Sequence, residues 1–142
     1  MATRRVNPQD LTLDSEPLVA LDRRNSSSTQ RAAAWVKRTV DGGGYLRIPA
    51  VVLAEVWRGR QRHNNYGLPR FLNGDRVLVD DVTSEIARLG GELLGGAGTN
   101  TTVDALVVAH AALMGTAGVL TADIADLKPL ASQVSVTLFH FR

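Results

Sequence analysis

The segment LTLDSEPL, residues 11–18, changes from a strand pattern to a helix pattern at a single aspartate. The short strand candidate Leu11–Leu13 is followed directly by Asp14. Ser15 is a residue type that caps helices, and Pro17 is tolerated in a first helical turn, where its nitrogen needs no intrahelical acceptor. The pattern predicts a strand that ends at Asp14 and leads into a helix. The carboxyl edge of an open α/β sheet is where ligands bind, so Asp14 is a candidate site residue, although a turn or cap role explains it equally well.

Strand and helix patterns alternate along the rest of the chain. Further strands are predicted at residues 45–48, 76–79, 118–120 and 134–141. Further helices are predicted at 30–40, from 49 to about 59, from Thr83 or Ser84 to 94, and at 103–114 with Thr101 or Thr102 as cap. Strands separated by helix-length segments predict an α/β fold with a mostly parallel central sheet of four to five strands flanked by helices.

A glycine-rich segment, GGAG at residues 95–98, interrupts this alternation. Glycine-rich loops can cradle phosphates, but this one lacks the Gly-Lys-Ser/Thr ending of a P-loop and follows a helix rather than a strand. We therefore predict a flexible connection here.

Length and composition restrict the class of protein. The 142 residues fit one domain, and 44% hydrophobic with 21% charged residues is typical of a globular chain rather than a disordered one. The absence of cysteine excludes a disulfide scaffold, a zinc ribbon and a thiol nucleophile. The first residues contain no continuous apolar segment, and the most apolar stretch, 105–120, is shorter than the ~20 residues of a membrane span. We expect a cytoplasmic protein without a signal peptide.

The formal net charge of +2 hides an asymmetry between the two halves of the chain. Residues 1–70 contain twelve Lys+Arg and six Asp+Glu, whereas residues 71–142 contain four and eight. Fourteen of the sixteen cationic residues are arginine, whose planar guanidinium suits phosphate oxygens. A surface that binds phosphodiesters would explain this excess of arginine. A genomic bias towards arginine codons is the alternative explanation.

Three further carboxylates occupy unusual positions. Glu55 lies beside the apolar stripe of its predicted helix, where pairing with Arg58 is the alternative explanation. Asp104 begins a helix that is apolar nearly all round, although an aspartate in a first turn is also favoured by the helix dipole. Asp123 follows the fourth predicted strand, with Asp126 three residues later, and each also suits a turn.

The four acids are more informative together than singly. Parallel strands place Asp14 and Asp123 at one edge of the sheet, and the start of the helix at Asp104 can reach the same cleft. Carboxylates gathered there repel one another, which a divalent cation relieves, and oxygen ligands suit Mg²⁺ or Mn²⁺. None of the three histidines stands near a candidate nucleophile at a recognisable spacing, so core or surface roles are expected for His63, His110 and His140. If the chain is an enzyme, a water activated by metal is the best nucleophile available.

Four motifs in order carry a resemblance to a known family. They are LDS at 13–15, IPAVVLAE at 48–55, TVDALV at 102–107 and VLTAD at 119–123. In this order and spacing they resemble the PIN domain, and more closely the VapC-type toxins of bacterial toxin–antitoxin modules. The similarity covers about residues 11–139, within a single PIN-like domain of residues 1–142. The implied fold is a three-layer α/β/α arrangement.

The resemblance also implies a function and a set of site residues. A VapC-type toxin is a Mg²⁺-dependent endoribonuclease that cuts RNA, such as tRNA or other structured RNA, until a cognate antitoxin blocks the cleft. Family members are usually homodimers. The motifs assign the catalytic and metal-binding acids to Asp14, Glu55, Asp104 and Asp123, with Ser15 and Thr121 as polar supports and Asp126 as an additional acid.

A basic run follows Glu55, with no acid between residues 56 and 70. Its cationic side chains are candidate contacts for RNA phosphates or for an antitoxin: Arg58, Arg60, Arg62 and Arg70. A solvated charged surface is the alternative explanation.

Other readings of the acids remain open at this point. They are a catalytically silent PIN-fold binding module, and a PIN nuclease of RNA processing that is not a toxin. A haloacid-dehalogenase-type phosphatase fits poorly, because Glu16 stands where that family needs an aspartate. A receiver domain also fits poorly, because Glu55 lies within a helix pattern rather than at a strand end.

Overall fold

A computed structural model of the protein describes residues 8–23, 26–58 and 67–141. The elements follow in the order β1 (Leu11–Leu13), α1 (Ser15–Asp22), α2 (Ser27–Asp41), β2 (Leu46–Pro49), α3 (Ala50–Trp57), α4 (Gly67–Leu72), β3 (Val77–Asp80), α5 (Ser84–Ala97), α6 (Thr102–Met114), β4 (Val119–Thr121), α7 (Ile124–Ala131) and β5 (Leu138–His140). None of the described helices has the length and hydropathy needed to cross a membrane.

The five strands form one parallel sheet in the order β3-β2-β1-β4-β5. Strands β1, β2 and β4 are fully buried, as is typical of parallel strands covered by helices on both faces. The predicted α/β/α fold with a mostly parallel sheet of four to five strands is therefore confirmed.

Alternating side chains of the strands define the two faces of the sheet. Phe139 of β5 contacts Trp35, so its face is covered by α2, which packs with α1. Thr12 of β1 contacts His110, so the other face is covered by α6, which packs with α5 and α7. The core between these layers consists mainly of Leu, Val, Ile and Ala side chains.

The helix cap after β1 differs from the prediction. Asp14, not Ser15, is the N-cap of α1, and its side chain accepts a hydrogen bond from the Ser15 backbone N–H at 2.8 Å. Aspartate is as good a cap as serine, and ending the strand at residue 13 leaves Asp14 with the extended backbone that a cap needs.

The glycine-rich segment 95–98 is not a flexible connection, so that prediction was wrong. Helix α5 continues to Ala97 and ends at Gly98, whose φ of 67° is the left-handed conformation that favours glycine. Gly96 lies against the Gln133 side chain, so the missing Cβ allows a close approach there. Gly96 thus serves packing, and Gly98 serves helix termination.

The remaining boundaries differ from prediction by a few residues. Thr83 caps α5 as predicted, whereas Thr101 occupies the N-cap of α6 without a side-chain hydrogen bond. Strand β5 is shorter than the predicted 134–141, and α7 has no counterpart among the predicted elements. The predicted end of α3 near Gly59 lies outside the described residues.

Candidate functional site

Asp14 is the centre of the candidate site. It lies between β1 and α1, is only 4% exposed, and accepts hydrogen bonds through both carboxylate oxygens. Oδ1 accepts from the Ser15 backbone N–H at 2.8 Å, and Oδ2 accepts from the Thr121 hydroxyl at 2.9 Å. The carboxylate is therefore held in one orientation by groups from β4 and α1.

Thr121 connects Asp14 to the end of the neighbouring strand. It is fully buried at the end of β4, and its hydroxyl oxygen also accepts from the Asp123 backbone N–H at 2.9 Å. The parallel pairing of β1 with β4 places these two strand ends side by side. A single hydroxyl thus fixes the ends of both strands at the site.

The other predicted acids reach the site from three helices. Asp104 is half-buried in the first turn of α6, whereas Glu55 on α3 and Asp123 at the N-cap of α7 are exposed. Asp126 is exposed in the first turn of α7. All the predicted acids lie close enough to Asp104 to alter its ionisation.

The ionisation of two carboxylates shows how closely the acids converge. Burial, followed by repulsion from Asp14, Asp126, Asp123 and Glu55, raises the pKa of Asp104 to about 6. Burial also raises the pKa of Asp14, with Glu55 and Asp123 adding to the shift and its two hydrogen bonds opposing it. Negative charge is therefore concentrated at this edge of the sheet at neutral pH, and the mutual repulsion of the carboxylates lowers the stability of the folded chain.

The carboxylate oxygens of this site are the type of ligand that divalent cations prefer, but they are not arranged as a complete coordination sphere. Within residues 8–23, 26–58 and 67–141, no three His, Asp or Glu side chains are grouped closely enough to hold a metal ion. The donor set nevertheless fits Mg²⁺ or Mn²⁺, because it consists of carboxylate oxygens whose mutual repulsion a cation relieves.

The predicted basic contacts are only partly described. Arg58 is exposed directly after α3, and Arg70 is exposed in the last turn of α4. Arg60, Arg62 and His63 lie outside the described residues.

A buried polar network below the site was missed by the sequence analysis. Arg47 Nε donates to Asp10 at 2.7 Å, and Arg47 Nη1 lies 3.1 Å from Asp80. Asp80 also lies 2.8 Å from His110 Nε2, and His110 Nδ1 lies 3.1 Å from the Thr12 hydroxyl. A core or surface role was expected for His110, but its partners were not predicted. The available signal was Arg47 itself, a charge between Leu46 and Ile48 in a predicted strand of a sheet flanked by helices.

Comparisons with known proteins give a family and a fold. The PIN domain family profile matches residues 11–128. No curated protein sequence matches the chain.

Three solved structures have the same fold. The structure of VapBC2 from Rickettsia felis bound to a DNA fragment from its promoter matches with a TM-score of 0.65 and 20% identity, covering 92% of this chain and 98% of that one. The structure of FitAcB from Neisseria gonorrhoeae matches with a TM-score of 0.69 and 17% identity, covering 92% of this chain and 97% of that one. A toxin–antitoxin complex from Klebsiella pneumoniae matches with a TM-score of 0.64 and 16% identity, covering 82% of this chain and 88% of that one.

Proposed function

The chain belongs to the PIN domain family, and from this we propose that it is a metal-dependent endoribonuclease, the VapC-type toxin of a toxin–antitoxin module. The proposal rests on one observation above all. At the carboxyl ends of β1 and β4, the Asp14 carboxylate is fixed by the Ser15 N–H and the Thr121 hydroxyl, and the charges of Asp14 and three further acids, together with burial, raise the pKa of Asp104 to about 6. The mutual repulsion of these acids lowers the stability of the folded chain, so a role in folding does not explain why they lie together.

The proposed cation is Mg²⁺, with Mn²⁺ as a substitute. Asp14 and Asp104 are the proposed principal ligands, and Glu55 and Asp123 contact the ion directly or through water. When bound, such an ion supplies a water of lowered pKa and stabilises the charge that develops on a phosphodiester. The reaction class is hydrolysis of an RNA phosphodiester bond.

The chain's own residues prepare the site for this chemistry. The Ser15 N–H and the Thr121 hydroxyl orient the Asp14 carboxylate, so that it needs no rearrangement when a cation arrives. The repulsion around Asp104 raises the free energy of the metal-free site when its carboxylates are ionised. A bound cation relieves this repulsion, so the repulsion increases the affinity of the site for cations. Asp126 is proposed as an auxiliary acid, because its charge acts on Asp104 more strongly than that of Asp123.

The similar structures support an antitoxin partner, whereas the homodimer and the RNA substrate are proposed from the resemblance to VapC-type toxins. The Klebsiella pneumoniae structure is a toxin–antitoxin complex and the Rickettsia felis structure contains VapBC2. We infer a cognate antitoxin that covers the cleft, a homodimeric toxin, and tRNA or other structured RNA as substrate. Exposed Arg58 and Arg70 are candidate contacts for RNA phosphates or for the antitoxin, as are Arg60 and Arg62 by their position in the sequence.

The test is cleavage of total RNA by the purified protein with Mg²⁺ and with EDTA. We expect cutting that requires Mg²⁺ and is lost in Asp14→Asn and Asp104→Asn. Asp41→Asn is the matched control, because Asp41 is an exposed aspartate paired with Lys37 on α2. Cutting in EDTA, or equal activity in all three variants, contradicts the mechanism. Mg²⁺ binding without cutting of any RNA supports the silent binding module instead.

A further inference from the structure

Helix α2 presents a cationic and aromatic face that the proposed active site does not use. Arg31, Trp35 and Arg38 are separated by four and three residues, which places them on one side of the helix over about 10 Å. Both arginines are exposed and Trp35 is half-buried. The face is thus built from two accessible guanidinium groups around one indole.

A cavity opens along this face. It has a volume of about 430 Å³ and is lined by Arg31, Ala34, Trp35, Arg38 and Phe141. No carboxylate is among these lining residues of the described chain. The volume lies within the range of small-molecule sites, ~300–1,000 Å³. An anionic group that enters therefore meets two arginines and no lining acid.

The indole in the lining of this cavity contacts two neighbouring side chains. Its ring centroid lies 5.3 Å from that of Phe139 at an angle of 46°, and the Arg38 guanidinium carbon lies 5.4 Å from its centroid. Trp35 also borders a second cavity of about 240 Å³ on the Thr39 side. The aromatic ring and the guanidinium plane together form a stacking surface of the kind on which unpaired bases lie.

The Phe141 side of the cavity lies at the same edge of the sheet as the carboxylates, whereas Trp35 and Arg38 also border the second cavity, whose lining includes Asp10. Thr121, which holds Asp14, pairs in register with His140 of β5, and the next residue is Phe141 of the cavity wall. Strand β4 separates β5 from β1, so about 10 Å lies between the two flanking strands. A nucleic acid strand that crosses the cleft can reach both places.

We propose that this face, formed by Arg31, Trp35, Arg38 and Phe141, binds an unpaired nucleotide of the RNA next to the scissile bond. The two arginines bind phosphate, and the base stacks at Trp35 and Arg38. RNA is favoured over an acidic peptide because a nucleotide supplies both the anion and the planar ring that this cavity accommodates. The inference rests on the proposed function, since it assumes that RNA is the substrate.

The test measures binding of a fluorescein-labelled single-stranded RNA of mixed sequence, about 12 nucleotides long, to the full chain in EDTA. Arg31→Gln/Arg38→Gln is expected to reduce the slope of log Kd against log salt by about 1.4, which is ~0.7 for each lost phosphate contact. In a Trp57→Phe background Trp35 is the single tryptophan, and RNA is expected to quench its fluorescence. Stacking of one base on an aromatic side chain is expected to increase the affinity for RNA by about tenfold or more.

The matched control is Lys37→Gln/Arg88→Gln, which removes the same charge from exposed positions that do not line the cavity. An equal fall in the salt slope for this control, or the absence of quenching, overturns the proposal. Tight binding of a polyglutamate peptide with no binding of RNA also overturns it and identifies an acidic partner.

Cleavage assays in Mg²⁺ separate this inference from the proposed function. If the parent chain cuts RNA and Arg31→Gln/Arg38→Gln cuts it with unchanged KM, the nuclease assignment stands and the α2 site fails. If the parent chain does not cut RNA but the double variant alone loses binding, the α2 site stands and the nuclease assignment fails.

Discussion

At the scale of single residues, Thr121 joins the two halves of the site. Its hydroxyl donates to Asp14 and accepts from the Asp123 backbone N–H, so one side chain fixes a carboxylate and the start of the following helix. Groups that orient metal ligands contribute to affinity without touching the ion. The effect of removing this hydroxyl can therefore be predicted.

Thr121→Val keeps the shape of the side chain and removes both hydrogen bonds. We expect a decrease of about 10–100-fold in Mg²⁺ affinity or in kcat/KM, since Asp14 loses the donor to Oδ2. Steady-state cleavage at several Mg²⁺ concentrations measures the loss. Thr137→Val, a change at an exposed threonine, is the control. Wild-type activity of Thr121→Val contradicts the positioning role.

Asp104 predicts a dependence of stability on pH. Folding raises its pKa from 3.8 to about 6, so the metal-free folded state binds this proton more tightly than the unfolded state does. Its contribution to stability is fully present below about pH 4 and is lost as the pH rises through about 6.

Asp104→Asn removes that dependence, because asparagine cannot ionise. We expect the metal-free variant to be more stable than the parent at pH 7.5 by about 1 kcal/mol, a value reduced for the partial exposure of the side chain. At pH 4 the two proteins are expected to be equally stable. Urea unfolding in EDTA at both pH values measures this, and a less stable variant at pH 7.5 refutes the electrostatic conflict.

At the scale of elements, a buried ion network joins β2 and β3 to α6. Arg47 lies between Asp10 and Asp80, and Asp80 also contacts His110 on the helix that carries Asp104. The Arg47 side chain is only 8% exposed, so its charge is compensated by protein groups rather than by water. The network fixes the position of α6 against strands β2 and β3.

Arg47→Met tests this network because it leaves two acids without their cation. We expect a loss of about 3–5 kcal/mol in the free energy of unfolding. The triple variant Arg47→Met/Asp10→Asn/Asp80→Asn, which carries none of these charges, is expected to recover most of it. Urea unfolding measures both. Arg88→Met, at an exposed arginine of α5, serves as control, with a change within ~0.5 kcal/mol. A loss in Arg88→Met equal to that in Arg47→Met contradicts a specific role.

At the scale of the whole molecule, the cleft draws its acids from α1, α3, α6 and α7. A cation bound by these acids as proposed would stabilise only the folded chain, because the unfolded chain separates them. Binding energy at the site is therefore also folding energy.

Millimolar Mg²⁺ is accordingly expected to raise the melting temperature. At one hundred times the dissociation constant, the added stability is ~2.7 kcal/mol. The increase should be lost in Asp14→Asn/Asp104→Asn and retained in Asp41→Asn. Differential scanning calorimetry with EDTA as reference measures it. A melting temperature that does not respond to Mg²⁺ removes the support for a metal site.

Local pattern was sufficient to predict much of the architecture. Short strand patterns predicted all five strands, and capping residues with helical periodicity predicted most helices, because period and capping are properties of neighbouring residues. The segment 95–98 was misjudged because glycines that allow close helix packing, as Gly96 does against Gln133, look like a loop in the sequence.

By itself, the sequence determined that an α/β sheet forms and that acids follow its strands, as Asp14 follows β1. Only the tertiary structure decided which distant side chains meet. Asp14 and Thr121 are 107 residues apart, and Thr12 and His110 are 98 apart. Their contacts depend on strand order and on the register of β1 with β4, which local pattern does not encode. The same pairing, extended to β5, brings Phe139 to Trp35 and so forms the proposed RNA-binding face.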